Sequence, residues 1–286
     1  MTRPQLIEQI FQKQTYLCVG LDTNITLIPK HLQGHTDAVF EFNKQIIDAT
    51  KDLCVAYKIN TAFYEALGVK GWQAMEKTVN YIPPSHFKIA DAKRGDIGNT
   101  SLQYAKAFFE TLAFDAITVA PYMGEDSVKP FLQHEDKWAI VLGLTSNAGA
   151  ADFELKQIIS TVEDLEEGMH FKKQIKKHLY EQVLQTVSDW GSPANLMFVV
   201  GATKADEFLN IRKLTPDHFY LVPGVGAQGG SLKEISEKAM NKDCGILVNA
   251  SRAIIYASGA ENFAADARTV AFKYQQEMSQ YLSRLK

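Results

Sequence analysis

The stretch FKIADAKRGDIGNT, residues 87 to 100, sets Asp91, Lys93 and Asp96 directly behind an apolar run. Residues two apart on a strand point the same way, so Asp91 and Lys93 emerge side by side, with Asp96 in the loop that follows. Taken alone, Asp-x-Lys is more often a satisfied buried ion pair than a pair of reagents, because buried charges are paired whether or not they act. Other segments shift that balance. LCVGLD ends in Asp22, and VAYKIN carries Lys58 and Asn60, again two apart on one face. Lysines and aspartates alternating at one place hold each other ionised, giving a fixed array of charge rather than a titrating pair. Such an array suits the handling of a carboxylate or a carbanion.

A second group lies late in the chain. VPGVGAQGGS, residues 222 to 231, places Gly224, Gly226 and Gly229 in a formal G-x-G-x-x-G pattern. The dinucleotide reading of that pattern wants an acid about 20 residues further on, and position 249 is Asn. NASRAI then supplies Arg252. Glycines let backbone N–H groups approach an anion, and arginine offers a two-pronged donor, so the two segments together point to a phosphate monoester rather than NAD. The competing reading is a plain glycine turn and a surface arginine. A metal has little support: the seven histidines form no H-E-x-x-H or close Cys/His group, and His31 and His35 flank Leu-Gln-Gly without a neighbouring ligand pair. No G-x-S-x-G elbow occurs either.

The elements that must position these residues are short apolar runs: LCVGLD at 17, VAYKIN at 55, FKIADAK at 87, DAITVAPY at 115, AIVLGL at 139, LMFVVGA at 196, FYLVPG at 219 and GILVNAS at 245. They are continuous rather than alternating, as in strands buried on both faces of a parallel sheet. Between them runs helical spacing, as in Val39, Phe42, Ile46, Ala49 and Leu53, or Phe263, Val270, Tyr274, Met278 and Leu282. Eight strand-helix units in about 250 residues predict a (β/α)8 TIM barrel, whose sites form at the C-terminal ends of the strands. The charges behind the first three strands and the anion-binding segments behind the last two would then share one mouth. A doubly wound open sheet is the competing arrangement.

The reading is one barrel domain over residues 1–286, with an insert at about 145–168 after the fifth strand. The fifth and sixth runs begin at 139 and 196, against 23 to 38 residues between other neighbours. A loop of that length at a barrel rim is either a lid or a decoration, and sequence favours decoration. The Lys-rich HFKKQIKKH after it reads as a solvated helix face, with Ile175, Leu179, Val183, Val187 and Trp190 as the apolar stripe.

Composition excludes other classes. Net charge is −3, with 46% hydrophobic and 22% charged residues, so no basic surface favours nucleic acid or anionic lipid. No run of about 18 apolar residues exists for a membrane span, and the N-terminal 22 residues are interrupted by polar ones, unlike a signal peptide. Cys18, Cys54 and Cys244, an odd number without Cys-x-x-Cys spacing, read as reduced core thiols of a cytoplasmic protein.

DAKRGDIGNT, AYKIN, and PGVGAQGG with SRAI resemble the orotidine 5′-phosphate decarboxylase family, particularly its longer bacterial subgroup, over nearly the whole chain. The Asp-x-Lys-x-x-Asp pattern is shared with related phosphosugar enzymes; its combination with Lys58 and PGVGAQGG is more specific. The resemblance implies a homodimeric barrel that converts orotidine 5′-phosphate to UMP and CO2 in pyrimidine biosynthesis, without metal or organic cofactor. It implies that Lys93 protonates C6 of the pyrimidine, that Asp91 sits beside the substrate carboxylate, and that Lys58 binds ribose and orients Asp91. Asp22 also contacts ribose. Asp96 reaches into the neighbouring subunit's site with Thr100 close behind it, Ser146 meets the pyrimidine, and Gln228 and Arg252 hold the phosphate. Asn60 and Pro223 complete the substrate-binding set.

Three other readings fit the same residues. A metal-dependent phosphosugar decarboxylase or aldolase would want a carboxylate where Lys58 stands. A Schiff-base aldolase would use Lys58 or Lys93 and be trapped by borohydride with substrate. A phosphometabolite-binding barrel would leave the charged strand ends unexplained.

Overall fold

The computed structural model describes residues 1–166, 169–226 and 229–285. Its strands fall in chain order at β1 Leu17–Gly20, β2 Ala56–Asn60, β3 Phe87–Arg94, β4 Ala116–Val119, β5 Trp138–Leu144, β6 Gln157–Glu166, β7 Met169–His178, β8 Leu196–Val200, β9 Phe219–Pro223 and β10 Ile246–Ala250. Eight of them close into a barrel in the order β1-β10-β9-β8-β5-β4-β3-β2, each neighbouring pair parallel. These are the eight apolar runs of the sequence. Closure rules out the open doubly wound sheet: the first strand pairs with the last, Leu17 standing opposite Val248 and Val19 opposite Ala250.

The runs are continuous because each strand meets packed side chains on both faces. Tyr57 points outward and binds the helix Ala38–Thr50, its hydroxyl 2.8 Å from the Thr50 hydroxyl and 3.2 Å from the Ile47 carbonyl it donates to. Its neighbour Lys58 points into the barrel. That helix buries Val39, Phe42 and Ile46, as the spacing predicts, and Phe42 stacks on Phe263 of the helix Phe263–Leu282 at 5.0 Å. The opposite end of the barrel is closed by the N-terminal helix Arg3–Lys13, capped by Thr2. The Met1 ammonium lies 2.7 Å from Asp115, just before β4, and the Met1 carbonyl accepts from the Trp138 indole at the start of β5. No helix among the described residues is long and apolar enough to cross a membrane.

The long connection between β5 and β8 departs from expectation. It folds as an antiparallel hairpin of β6 and β7, registered from Gln157 opposite His178 to Glu166 opposite Met169. The inserted element therefore extends to His178, ten residues beyond the expected boundary. The Lys-rich segment is a strand rather than a helix face: lysine and isoleucine spacing in that segment satisfies either period, and pairing with the β-branched run IISTV decides for the strand. The helix starts only at Leu179, where Glu181 accepts the His178 N–H, and its buried face is Tyr180, Leu184 and Val187. Ile175 is exposed.

One irregularity matters for the site. Ala90 of β3 stands opposite Ile117 of β4, whereas Arg94 stands opposite Val119. Three residues of β3, Asp91 to Lys93, thus face the single residue Thr118. This is a bulge, a device that re-aims side chains where a strand leaves its ladder.

Candidate active site

Three consecutive strands deliver the charged residues to one end of the barrel. Asp22 follows β1, Lys58 is the third residue of β2, and Asp91 and Lys93 lie on the β3 bulge. Leu21 N–H donates to the Lys58 carbonyl at 2.8 Å, which brings the turn after β1 against β2. The Asp22 carbonyl is held in turn by the Tyr256 hydroxyl at 3.1 Å. The side chains form a linear relay of alternating sign. Lys58 Nζ is 3.3 Å from Asp22 Oδ1 and 2.8 Å from Asp91 Oδ2, and Lys93 Nζ is 2.5 Å from Asp91 Oδ1.

Burial would by itself push the Lys58 ammonium down; the Asp91 and Asp22 carboxylates outweigh it and hold the group above the ordinary lysine value. Burial would likewise raise Asp91, but Lys58 and Lys93 outweigh it and keep this carboxyl well below the usual carboxylate range. All the members that titrate abnormally are thus locked in their charged forms. The Lys93 side chain is 51% exposed against 5% for Lys58. Lys58 is the buried tie between two acids, and Lys93 is the cation that faces the opening.

These residues line a cavity of about 280 Å³ together with Asn60, Ser146, Pro223 and Arg252. Across from the charges, Leu142, Val199 and Leu221 make an apolar wall. The end of the cavity where the sequence leads one to expect an anion is built by β9 and β10. Gly224, Gly226 and Gly229 all have positive φ, at 98°, 75° and 88°, and the loop is tied by Gly226 N–H to the Gly230 carbonyl and Gly230 N–H to the Gly224 carbonyl. Arg252 starts a short helix after β10, is exposed on the cavity, and makes no ion pair among the described residues. The β1–β10 seam here requires Gly20: a Cβ at that position would lie 2.7 Å from the Ser251 Cβ. Ser251 instead donates to the Gly20 carbonyl at 3.0 Å.

Asp96 and Thr100 do not line this cavity. Asp96 is half-buried, its carboxylate accepting the Ile97 N–H at 2.8 Å, and Thr100 is exposed on the first turn of the helix Gly98–Lys106. Gln228 lies outside the described residues. The sequence reading missed Thr118, Thr145, Asn147 and Asn249, all of which line the cavity. Asn249 carried a signal, a polar residue inside the apolar run GILVNAS; Thr118 carried none, because threonine is an ordinary strand residue. Among the described residues no group of three or more His, Cys, Asp or Glu is arranged to hold a metal. The three cysteines are buried and unpaired, with burial pushing the Cys54 and Cys244 thiols up to about 12.

Known proteins resemble this chain in sequence and in fold. A family model described as "Orotidine 5'-phosphate decarboxylase / HUMPS family" matches residues 15–267. An orotidine 5'-phosphate decarboxylase of Flavobacterium johnsoniae is 56% identical over 285 residues, covering 99% of this chain and 98% of that protein. One from Bacteroides fragilis is 53% identical over the same length, again covering 99% and 98%. Among solved structures, the OMP decarboxylase of Leishmania donovani superimposes with a TM-score of 0.80 at 32% identity, covering 99% of both chains. The UMP synthase of the same organism matches at a TM-score of 0.81 and 34% identity, over 97% of this chain and 56% of that longer one. Sequence identity along the whole barrel, with a matching three-dimensional course, establishes that the chain belongs to the orotidine 5′-phosphate decarboxylase / HUMPS family.

Proposed function

We propose that the chain is an orotidine 5′-phosphate decarboxylase, releasing CO2 from orotidine 5′-phosphate to form UMP in pyrimidine biosynthesis. The observation that carries this reading is the Asp22–Lys58–Asp91–Lys93 relay lining the same cavity as Arg252. Breaking the bond between C6 and its carboxylate leaves the electron pair in an sp2 orbital of C6, where the ring cannot delocalise it. Catalysis then needs a cation in place before that charge develops. Lys93 Nζ supplies the field and then the proton, which ends on C6 of UMP; its exposure lets solvent return the proton to the amine.

Lys58 holds Asp91 and Asp22 in register and meets the ribose with Asn60. Arg252, Gln228 and the glycine loop take the phosphate, Pro223 lines the substrate cavity, and Ser146 meets the pyrimidine. Gripping the distant phosphate helps align the reacting carbon, so binding energy spent there appears in turnover. The Lys58 ammonium fills the space between two carboxylates where a bridging divalent cation would otherwise sit, and no cofactor enters the reading. The decisive measurement is loss of orotidine 5′-phosphate absorbance by the purified chain in EDTA. Turnover unaffected by the chelator is expected; absence of turnover, or turnover restored only by a divalent metal, would overturn the reading.

The chain acts as one barrel domain in the cytoplasm and as a two-fold dimer, in which Asp96 and Thr100 complete the partner's site. Support comes from their position outside their own cavity and from the exposed apolar side chains beside them. Ile97 is 58% and Tyr122 91% exposed, on neighbouring loops joined by the Ala120 N–H to Arg94 carbonyl bond. A mixture of Asp96→Ala and Lys93→Ala chains should regain activity, since each heterodimer assembles one intact site. A mixture as inactive as its components would eliminate sharing.

A further inference from the structure

Thr118 is one of few polar residues buried in the barrel wall, only 1% exposed, and it stands alone opposite the Asp91–Lys93 bulge. At the bulge the β3–β4 ladder is interrupted, and Lys93 takes a left-handed backbone with φ of 48°, a conformation that non-glycine residues adopt only when surrounding contacts impose it. The Thr118 hydroxyl supplies such a contact. Lys93 N–H donates to Thr118 Oγ1 at 2.8 Å, and Thr118 Oγ1 lies 3.1 Å from Asp91 Oδ1. A backbone N–H can only donate, so the hydroxyl accepts there with a lone pair. Its single proton is then directed to the carboxylate. The oxygen receiving that proton is the one that binds Lys93 Nζ at 2.5 Å. One hydroxyl therefore touches the backbone of Lys93 and the anion that holds its ammonium.

We propose that Thr118 is a positioning residue of the decarboxylation: it fixes the arch on which Lys93 stands and the rotamer of Asp91, setting where the ammonium points. It touches no reacting atom in this role and acts through Asp91 and Lys93. Without the hydroxyl, Lys93 N–H loses its acceptor, and the Asp91 carboxylate is held only by two flexible lysine side chains, Lys93 on Oδ1 and Lys58 on Oδ2. The cation would then sit at a distribution of positions rather than one. Misplacement by an ångström is enough to lower a rate by about a hundredfold. The phosphate end lies on β9 and β10, across the barrel, and does not depend on this contact.

The inference rests on the decarboxylase reading, and wild-type turnover is therefore measured first. Its absence would defeat that reading, whereas an active wild type with an indifferent Thr118 would defeat only this one. Thr118→Val keeps the branched shape and removes the hydroxyl. It is expected to lower kcat by about 10- to 100-fold, with KM and the Kd for UMP within about threefold of wild type. Thr118→Ser, which restores the hydroxyl, should recover kcat to within about threefold. A general loss of packing would follow methyl groups instead, leaving the serine variant the worse of the two. Thermal unfolding of each variant checks that it is folded, and Thr118→Ala replaces the valine variant if the latter is not. A folded valine or alanine variant with near-normal kcat overturns the proposal. So does a serine variant as slow as valine, or a kcat loss matched by lost UMP affinity. Failure of both valine and alanine variants to fold would show that the hydroxyl holds the barrel itself, and would overturn it as well.

Discussion

The two ends of the cavity are built on opposite plans. At the ends of β1 to β3 every charged side chain already has a partner, with Lys58 between two acids and Asp91 between two lysines. At the ends of β9 and β10, Arg252 faces the cavity with no ion pair among the described residues, beside a glycine loop held in left-handed turns. The contrast separates two tasks. A group that must meet charge as it develops has to be oriented beforehand, because reorganisation during the reaction raises the barrier. A group that must grip an incoming anion is better left without a competing partner, since breaking an existing pair would subtract from binding.

Removing the cation at the first end should have the largest effect. Lys93→Ala is expected to lower kcat by at least about a thousandfold, the combined loss of a preplaced charge and a proton donor. UMP should still bind within about tenfold of wild type, measured by calorimetry; a variant that turns over normally would remove Lys93 from the reaction. Arg252→Ala should reverse that pattern, raising KM and costing about 10- to 100-fold in kcat/KM, in line with loss of a charged hydrogen bond. If Lys93→Ala weakens UMP more than Arg252→Ala does, the division of labour between the two ends is wrong.

The smallest effect contrasts the mouth of the barrel with its base. His86 and His218 stand immediately before β3 and β9 and are both buried. Burial first, then the nearby cations Lys13 for one and Arg3 and Arg212 for the other, push them down to about 4. An unfolded chain takes up those protons near pH 6.5, so their contribution to stability is complete above that value and is lost as pH falls toward 4. Each costs up to about 1.4 kcal/mol per pH unit in that window. The relay behaves differently. Asp91 loses its contribution only below the usual carboxylate range, and Lys58 only above the ordinary lysine value. The thermal midpoint should therefore decline from pH 6.5 to 4.5 while the relay is still charged. His218→Phe should flatten part of that slope, since neither ring nitrogen has a hydrogen-bond partner to lose; an unchanged slope would assign the decline elsewhere.

Much of this was readable from sequence because the barrel states its rules locally. Strands buried on both faces appear as unbroken apolar runs, and a lysine or aspartate at the end of such a run contradicts its surroundings, as Lys58 and Asp91 do. The parts that were not readable depend on partners distant in the chain. Whether HFKKQIKKH is helix or strand is decided by the segment before it in the hairpin, from His170 opposite Leu165 to His178 opposite Gln157. Thr118 differs in no way from any strand threonine until the bulge of β3 is set opposite it. Asp96 carries a charge in a motif, and its place outside its own cavity, expected from the resemblance rather than from the residue's type or spacing, appears once the loop is folded.

The seam between β1 and β10 has a consequence for biosynthesis. The paired residues Leu17 and Val248 belong to the first and last strands of the barrel, which therefore closes only once β10 has been made. A nascent chain still on the ribosome carries its lysines and aspartates on early strands, with neither the glycine loop nor Arg252 yet emerged. Half a barrel of this kind has the charged array but not the facing wall of the cavity, which is complete only after β10 and Arg252 have followed.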